Sequence, residues 1–251
     1  MKNKTEKILG AVAPLVTLAA VLAVWAVAAM ATGNEYVLPS VSDTVKEFFS
    51  LFSYGEFYAA LLGTLLRSVI AFCISFAAAW GLAFAAKNKV AEKFISPLNA
   101  VLRALPTVAV VLLLLVWTSG NVAPVIVTML VVLPSSYTNV KNALDGVDGS
   151  LLEMCRVYNV PKKAVLFKVK IPAILPGALR SAGAGLSLNV KLMVAAEVLS
   201  QTANSLGYLL NVNKVYFETA KMIALVAVTV ILGLICEFAF SRLAARAEKG
   251  K

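Results

Sequence analysis

Six long apolar runs, separated by loops that alternate between basic and cation-poor, constrain this chain more than any other feature. The runs cover residues 8–31, 58–86, 97–117, 123–138, 174–199 and 219–240. A helix of about 20 apolar residues crosses a ~30 Å hydrocarbon core, so most of these runs are long enough to span it. The chain has 251 residues, 60% hydrophobic and 14% charged, where soluble domains run near ~25% charged. A soluble chain of this length could not cover so much apolar surface. A soluble enzyme, a disordered chain and a disulfide-stapled secreted module are therefore excluded.

The loops set the orientation. Lys2, Lys4 and Lys7 precede the first run, and Lys87, Lys89 and Lys93 follow the second. Lys141, Arg156, Lys162, Lys163, Lys168 and Lys170 fall in residues 139–172, and Arg242, Arg246, Lys249 and Lys251 fall in the tail. Loop 32–57 instead carries Glu35, Asp43, Glu47 and Glu56 against Lys46, and loops 118–122 and 200–218 hold few cations. Basic loops stay in the cytoplasm. The expected fold is all-α and polytopic, with six transmembrane helices and both termini cytoplasmic. Residues 1–57 form the first helix and an external loop, 58–240 a core of five transmembrane helices, and 241–251 a basic cytoplasmic tail. The net charge of +10 is then an orientation signal rather than a nucleic-acid footprint. Ala29-Met30-Ala31 has the small-residue pattern of a signal cleavage site, but the run before it exceeds the ~7–15 residues of a signal peptide, and a retained helix is expected.

Metal chemistry finds no ligands. The chain has no histidine, and Cys73, Cys155 and Cys236 lie far apart, so neither a Cys/His zinc site nor a disulfide framework is expected.

Residues 139–172 are too long a connection to be idle. Leu151, Met154, Cys155 and Tyr158 recur at i, i+3, i+4 and i+7 and give one apolar helical face. Asp148 and Ser150 stand where an N-cap is wanted, and Glu153 follows Ser150 by three, as in a capping box. Asn159 suits the left-handed turn that ends a helix, and Pro161 suits the first turn of a second one. The segment reads as helix, sharp turn, helix, ending at Ile171-Pro172. Such an amphipathic helix either lies on the membrane or docks a partner.

These residues resemble the EAA signature of importer permeases of the ATP-binding-cassette (ABC) class: E-A-A, three residues, G, nine residues, I-x-L-P. Here Glu153-Met154-Cys155 is followed by three residues and Asn159, and nine residues later by Val169-x-Ile171-Pro172. The spacing is kept, Glu153 and Pro172 match by identity, and the other positions are substituted. Leu65-Leu66-Arg67, Leu105-Pro106-Thr107, Leu175-Pro176-Gly177 and Ala195-Ala196-Glu197-Val198-Leu199 are similar to segments of the nitrate/sulfonate/taurine branch. The resemblance covers residues 58–240 and implies a type I importer permease in the cytoplasmic (inner) membrane. It implies two permease copies, separate ABC ATPase subunits that carry ATP and Mg, and an extracytoplasmic binding protein that delivers substrate. It also implies a coupling helix in the EAA loop that inserts into the ATPase. The chain itself has no G-x-x-x-x-G-K-[ST] loop to cradle ATP, so it is expected to bind no cofactor and to be no enzyme.

Ionisable groups inside spans are costly and default to functional candidates. Lys191, with Asn189 beside it, lies near the middle of the fifth run, and Glu197 lies near its outer end. Lys191 either meets an anionic substrate in the pathway or joins a structural pair. Six residues put Lys191 and Glu197 about 240° apart, so they do not bridge along one helix. Arg67 and Arg103 are expected to snorkel or pair at the interfaces. Pro106 and Pro134 interrupt the third and fourth runs as gating hinges or as kinks. Small residues Ala178/Ala182 and Ser181/Gly185 permit close helix approach, within the chain or against a second copy. The leading expectation is the pathway subunit of an ATP-driven importer of a small anion or a vitamin precursor. An ion-gradient-driven secondary transporter would need a repeat or intramembrane carboxylates beyond Glu197, and a membrane enzyme would need clustered catalytic groups.

Overall fold

The computed structural model describes the backbone of residues 2–249 and the side chains of residues 12, 13 and 15–248. The side chains of Lys2, Lys4, Lys7 and Lys249, and all of Lys251, lie outside the described residues. Regular structure among the described residues is helical: α1 (Lys2–Thr32), α2 (Val41–Leu51), α3 (Gly55–Ala85), α4 (Lys89–Ala104), α5 (Thr107–Trp117), α6 (Ala123–Asp145), α7 (Gly149–Val157), α8 (Lys162–Ala164), a π-turn over Val165–Lys170, α9 (Ile171–Ser200), α10 (Leu206–Val215) and α11 (Thr219–Lys249). Among these, five helices are long and apolar enough to cross a membrane, and a sixth crossing is counted if α4 and α5 form one bent span.

That bent pair corrects the third run. A span over 97–117 interrupted at Pro106 is expected; Pro97 instead sits inside α4, and the interruption at Pro106 is a turn of 93° between α4 and α5. The cause is local. Pro106 offers no N–H, and a residue before proline is driven to extended backbone, as Leu105 is at φ −64°, ψ 127°. At 1.5 Å per residue, α5 alone is about 16 Å long, half a hydrocarbon core. Helix α4 is amphipathic, with Val90, Phe94, Leu98 and Val101 exposed along one side.

Two further boundaries differ from expectation. The fourth span does not stop at Thr138: α6 runs through Pro134 unbroken and ends only at Asp145, before Gly146. Nor does the chain break at Ile171-Pro172. Helix continues from Lys162 to Ser200, because the wider π-turn carries the backbone past Pro172, whose ring nitrogen has no proton to donate.

The helices group into two compact units. One comprises the chain up to Tyr58 together with Leu209–Val228. In it Ser40 caps α2 through Asp43 N–H at 3.1 Å, Trp25 Nε1 donates to the Pro39 carbonyl at 3.1 Å, and Thr219 Oγ1 donates to the Tyr36 carbonyl at 2.5 Å.

The other unit, Ala59–Tyr208 with Thr229–Lys251, is built on α3, α6 and α9. Ala79, Ala83 and Ala86 pack against Tyr137, Val140, Leu144 and Ile174. Further along, Phe72 packs with Val132, Ala182 and Leu186. Small residues let these helices approach closely where lipid offers no hydrophobic drive. Of the small pairs on α9, Ala178 and Ala182 are buried within the chain, Ser181 and Gly185 are half-buried beside a cavity, and a Cβ on Gly183 would come within 2.8 Å of Phe240 Cβ on α11.

Candidate functional site

The basic loop between α6 and α9 forms the helix–turn–helix expected of it, with one change in the cap. Asp148, not Ser150, caps α7: its carboxylate accepts from Ser150 N–H and from Ser150 Oγ, both at 2.9 Å. These two bonds hold the Asp148 carboxyl below its usual range. Ser150 is therefore inside the first turn, no capping box forms, and Glu153 stands exposed. At the far end Val160 N–H donates to the Cys155 carbonyl at 2.9 Å, and Asn159 takes φ +50°. Asparagine tolerates this left-handed geometry because its side chain is short and polar. Pro161 serves as the N-cap of α8 rather than as its first helical residue.

The apolar side of α7 is not covered by its own chain. Met154 is 57% exposed, Tyr158 76% and Leu151 37%. Leu152, Cys155 and Asn159 lie on the adjoining face and line a groove against the run into α9, so Cys155 parts from the apolar face read for it with Leu151, Met154 and Tyr158. Helix α7 therefore has one side seated on its own unit and one side open. Ile171 and Pro172 lie in the first turn of α9.

At the opposite end of the same unit, Glu197 is fully buried and occupied. Arg67 Nε donates to Glu197 Oε1 at 2.9 Å, and Thr64 Oγ1 donates to Oε2 at 2.7 Å. Arg67 Nη2 also donates to the Asn204 carbonyl at 2.9 Å. Leu206 N–H donates to Thr64 Oγ1 at 2.9 Å, so the first turn of α10 is capped by a side chain of α3. Thr64 and Arg67 are three residues apart and share one helical face. Gly63 and Gly207 make this approach possible: a Cβ on Gly63 would run into the Asn204 carbonyl oxygen, and one on Gly207 would come within 2.6 Å of Val198 N. The segment after α9 is thus clamped to α3 by an ion pair, a hydroxyl and two glycines. Glu197, a pathway candidate by its position in the span, is here the anchor of that clamp.

Lys191 and Asn189 do not meet. Two residues put them about 200° apart on α9. Asn189 is buried, and neither its Oδ1 nor its Nδ2 has a hydrogen-bond partner. Lys191 is exposed, with no carboxylate among the described residues in ion-pair reach. Its stem lies beside Gly233 of α11, whose missing Cβ would be 3.6 Å from Lys191 Cε and 2.8 Å from Ser187 Oγ. Of the two prolines, Pro106 stands at the α4–α5 bend and Pro134 inside continuous helix.

Sequence reasoning missed the partners of Glu197. The signal was present in Thr64 and Arg67 at i, i+3 on a span, but their pairing across about 130 residues is not a local property.

The family described as binding-protein-dependent transport system inner membrane component matches residues 75–249. The Bacillus subtilis (strain 168) protein SsuC, named as an aliphatic sulfonates transport permease, is 27% identical over 91% of this chain and 83% of its own length. The Escherichia coli (strain K12) SsuC is 26% identical, over 94% of this chain and 91% of its own. Among solved structures, the MetNI methionine ABC transporter in an inward facing conformation superposes with a TM-score of 0.67 at 18% identity, covering 75% of this chain and 94% of that one. An amino acid ABC transporter with histidines gives 0.65 at 17% identity, over 81% and 98%.

Proposed function

Because this chain belongs to the family of binding-protein-dependent transport system inner membrane components, we propose that it forms the solute pathway of an ATP-driven importer and couples to a separate ATPase through α7. The observation that carries this reading is the open apolar side of α7, held at a fixed angle by the left-handed turn at Asn159. A helix with one face seated and one face exposed outside the spans is suited to receive a partner. Two such chains in the inner membrane would bind two ATPase subunits, which hold ATP and Mg. A binding protein would deliver the solute from outside. ATP-driven closure of the ATPases would move α7, and with it α6 and α9, between two arrangements of the pathway.

The solute is a small anion, of which an aliphatic sulfonate is the first to test, since relatives named for sulfonate transport match over nearly the whole chain. Lys191 supplies the counter-charge. An ammonium in mid-span with no ion partner belongs in a wet pathway rather than against lipid. Lys191→Met should cut uptake of an anionic solute roughly tenfold to a hundredfold, the loss of a hydrogen bond to a charged group. Lys191→Arg should keep a good part of the activity. Uptake by Lys191→Met at the wild-type rate, with equal protein in the membrane, would remove this residue from the pathway.

The reading as a whole is tested by gentle purification of the tagged chain from its native membrane. A P-loop ATPase should accompany it in stoichiometric amount, and hydrolysis should rise when the loaded binding protein is added. A chain that purifies alone, and with which no ATPase can be reconstituted, would sink the proposal.

A further inference from the structure

The groove on the seated side of α7 holds charge that transport and coupling do not use. Four cations line it: Lys87 from the turn between α3 and α4, Arg156 from α7, and Lys162 and Lys170 from the run into α9. No carboxylate is among its lining residues, and Leu152 and Val165 add apolar wall. Asp145 acts on Lys87 from outside the groove and is itself paired with Lys141 at 2.7 Å, as Glu92 is at 2.9 Å. Lys87 and Lys170 line the same groove, near enough for the charge of Lys170 to act on Lys87. Loss of water in the groove, and then the charge of Lys170, push Lys87 down to about 8. Four cations around a groove with no carboxylate in its lining form half of an anion site.

Depth identifies the anion. Lys87 follows the end of α3 by two residues, and Lys170 stands on the helix that continues to Ser200, four residues before its apolar run begins at Ile174, so both fall at the basic edge of their spans. The Lys87 ammonium lies 5.5 Å above the ring of Phe84. Phe84 ends an aromatic ladder with Trp80 and Phe76 on α3, and such rings gather at headgroup level. Helix α4 leaves from the same corner with an exposed apolar side, the form of a helix lying in the interface.

We propose that this groove binds the headgroup of an anionic phospholipid of the cytoplasmic leaflet, its phosphate shared by Lys87 and Lys170. Basic pockets between spans on the cytoplasmic side suit such lipids. Because Arg156 is on α7, the lipid also ties the coupling helix to the membrane surface. The inference does not depend on which solute is carried.

The test uses the full chain in neutral detergent with dioctanoyl phosphatidylglycerol, dioctanoyl phosphatidylcholine or inorganic phosphate at equal concentration. The glycerol lipid should raise the melting temperature by several degrees, and the choline lipid and free phosphate should not. Lys87→Gln/Lys170→Gln should lose that response, and Lys89→Gln/Lys93→Gln should keep it. On the wild-type chain, which settles the matter if the double variant folds poorly, acetylation of Lys87 at pH 8 followed by mass spectrometry should slow severalfold with the glycerol lipid. The phosphate would raise the Lys87 pKa from about 8 and so leave less neutral amine to react. Equal effects of both lipids, an equal effect of phosphate alone, a response surviving in Lys87→Gln/Lys170→Gln, or protection of Lys87 by the ATPase partner instead of by lipid would each overturn the proposal.

Discussion

Glu197→Ala is expected to cost the chain about 3–5 kcal/mol of stability, the range for removing one member of a buried ion pair. The loss should fall near the lower figure, because the Arg67 side chain is 18% exposed and keeps some water when its carboxylate is gone. The same substitution strips the acceptor from Thr64 and so loosens the cap on α10. Arg67→Met/Glu197→Leu should be milder than the sum of its single changes, since it leaves no charge unpaired. Gly207→Ala should be as harmful by a different route. Its new Cβ would meet the Val198 backbone nitrogen at 2.6 Å, and backbone there cannot give way as a flexible side chain could. Thermal unfolding in mild detergent reads all three. A melting point for Glu197→Ala equal to that of the wild type would mean that the clamp is incidental.

Asn159→Val should abolish most transport while leaving the chain in the membrane. The backbone at Asn159 has φ +50°, and a β-branched residue is strained there by roughly 1–2 kcal/mol. The cheapest relief is to open the turn, which swings α7 out of the angle that presents Met154 and Tyr158. In proteoliposomes with the ATPase partner, uptake should drop at least about tenfold, and stimulation of hydrolysis by loaded binding protein should disappear with it. Asn159→Gly should transport normally, because glycine takes a positive φ freely. Those two outcomes together separate the turn from the side chain. Full uptake by Asn159→Val would show that the angle of α7 is not what couples the two subunits.

Much of this was legible beforehand, and particular residues show why. The left-handed turn at Asn159 is written in consecutive residues and forms as expected, whereas the apolar face of α7 keeps Leu151, Met154 and Tyr158 but gives Cys155 to the groove. The cap was less certain, because Asp148 and Ser150 compete for one position and only the observed bonds decide between them. Boundaries failed where proline was asked to predict too much. Pro106 does break a helix, and turns the chain by 93°, whereas Pro134 and Pro172 are absorbed, the first in continuous α6 and the second after a π-turn. Proline removes one donor in every case. Whether the helix bends depends on how neighbouring helices hold the freed carbonyl, which no window of sequence contains.

The sequence by itself determined the membrane class, the apolar runs and their alternating loops, because run length against bilayer thickness and charge against sidedness are properties of short segments. Only the tertiary structure decided that Glu197 belongs to Arg67 and Thr64, that Asn189 and Lys191 face apart, and that Lys87 meets Lys170 in one groove. The Glu197 and Lys87 pairings join residues from separate elements, and the packing of α9 decides which of Asn189 and Lys191 is buried. They follow from how α3, α6 and α9 pack on their small residues, and the distances that result are set by the whole core rather than by any one stretch of chain.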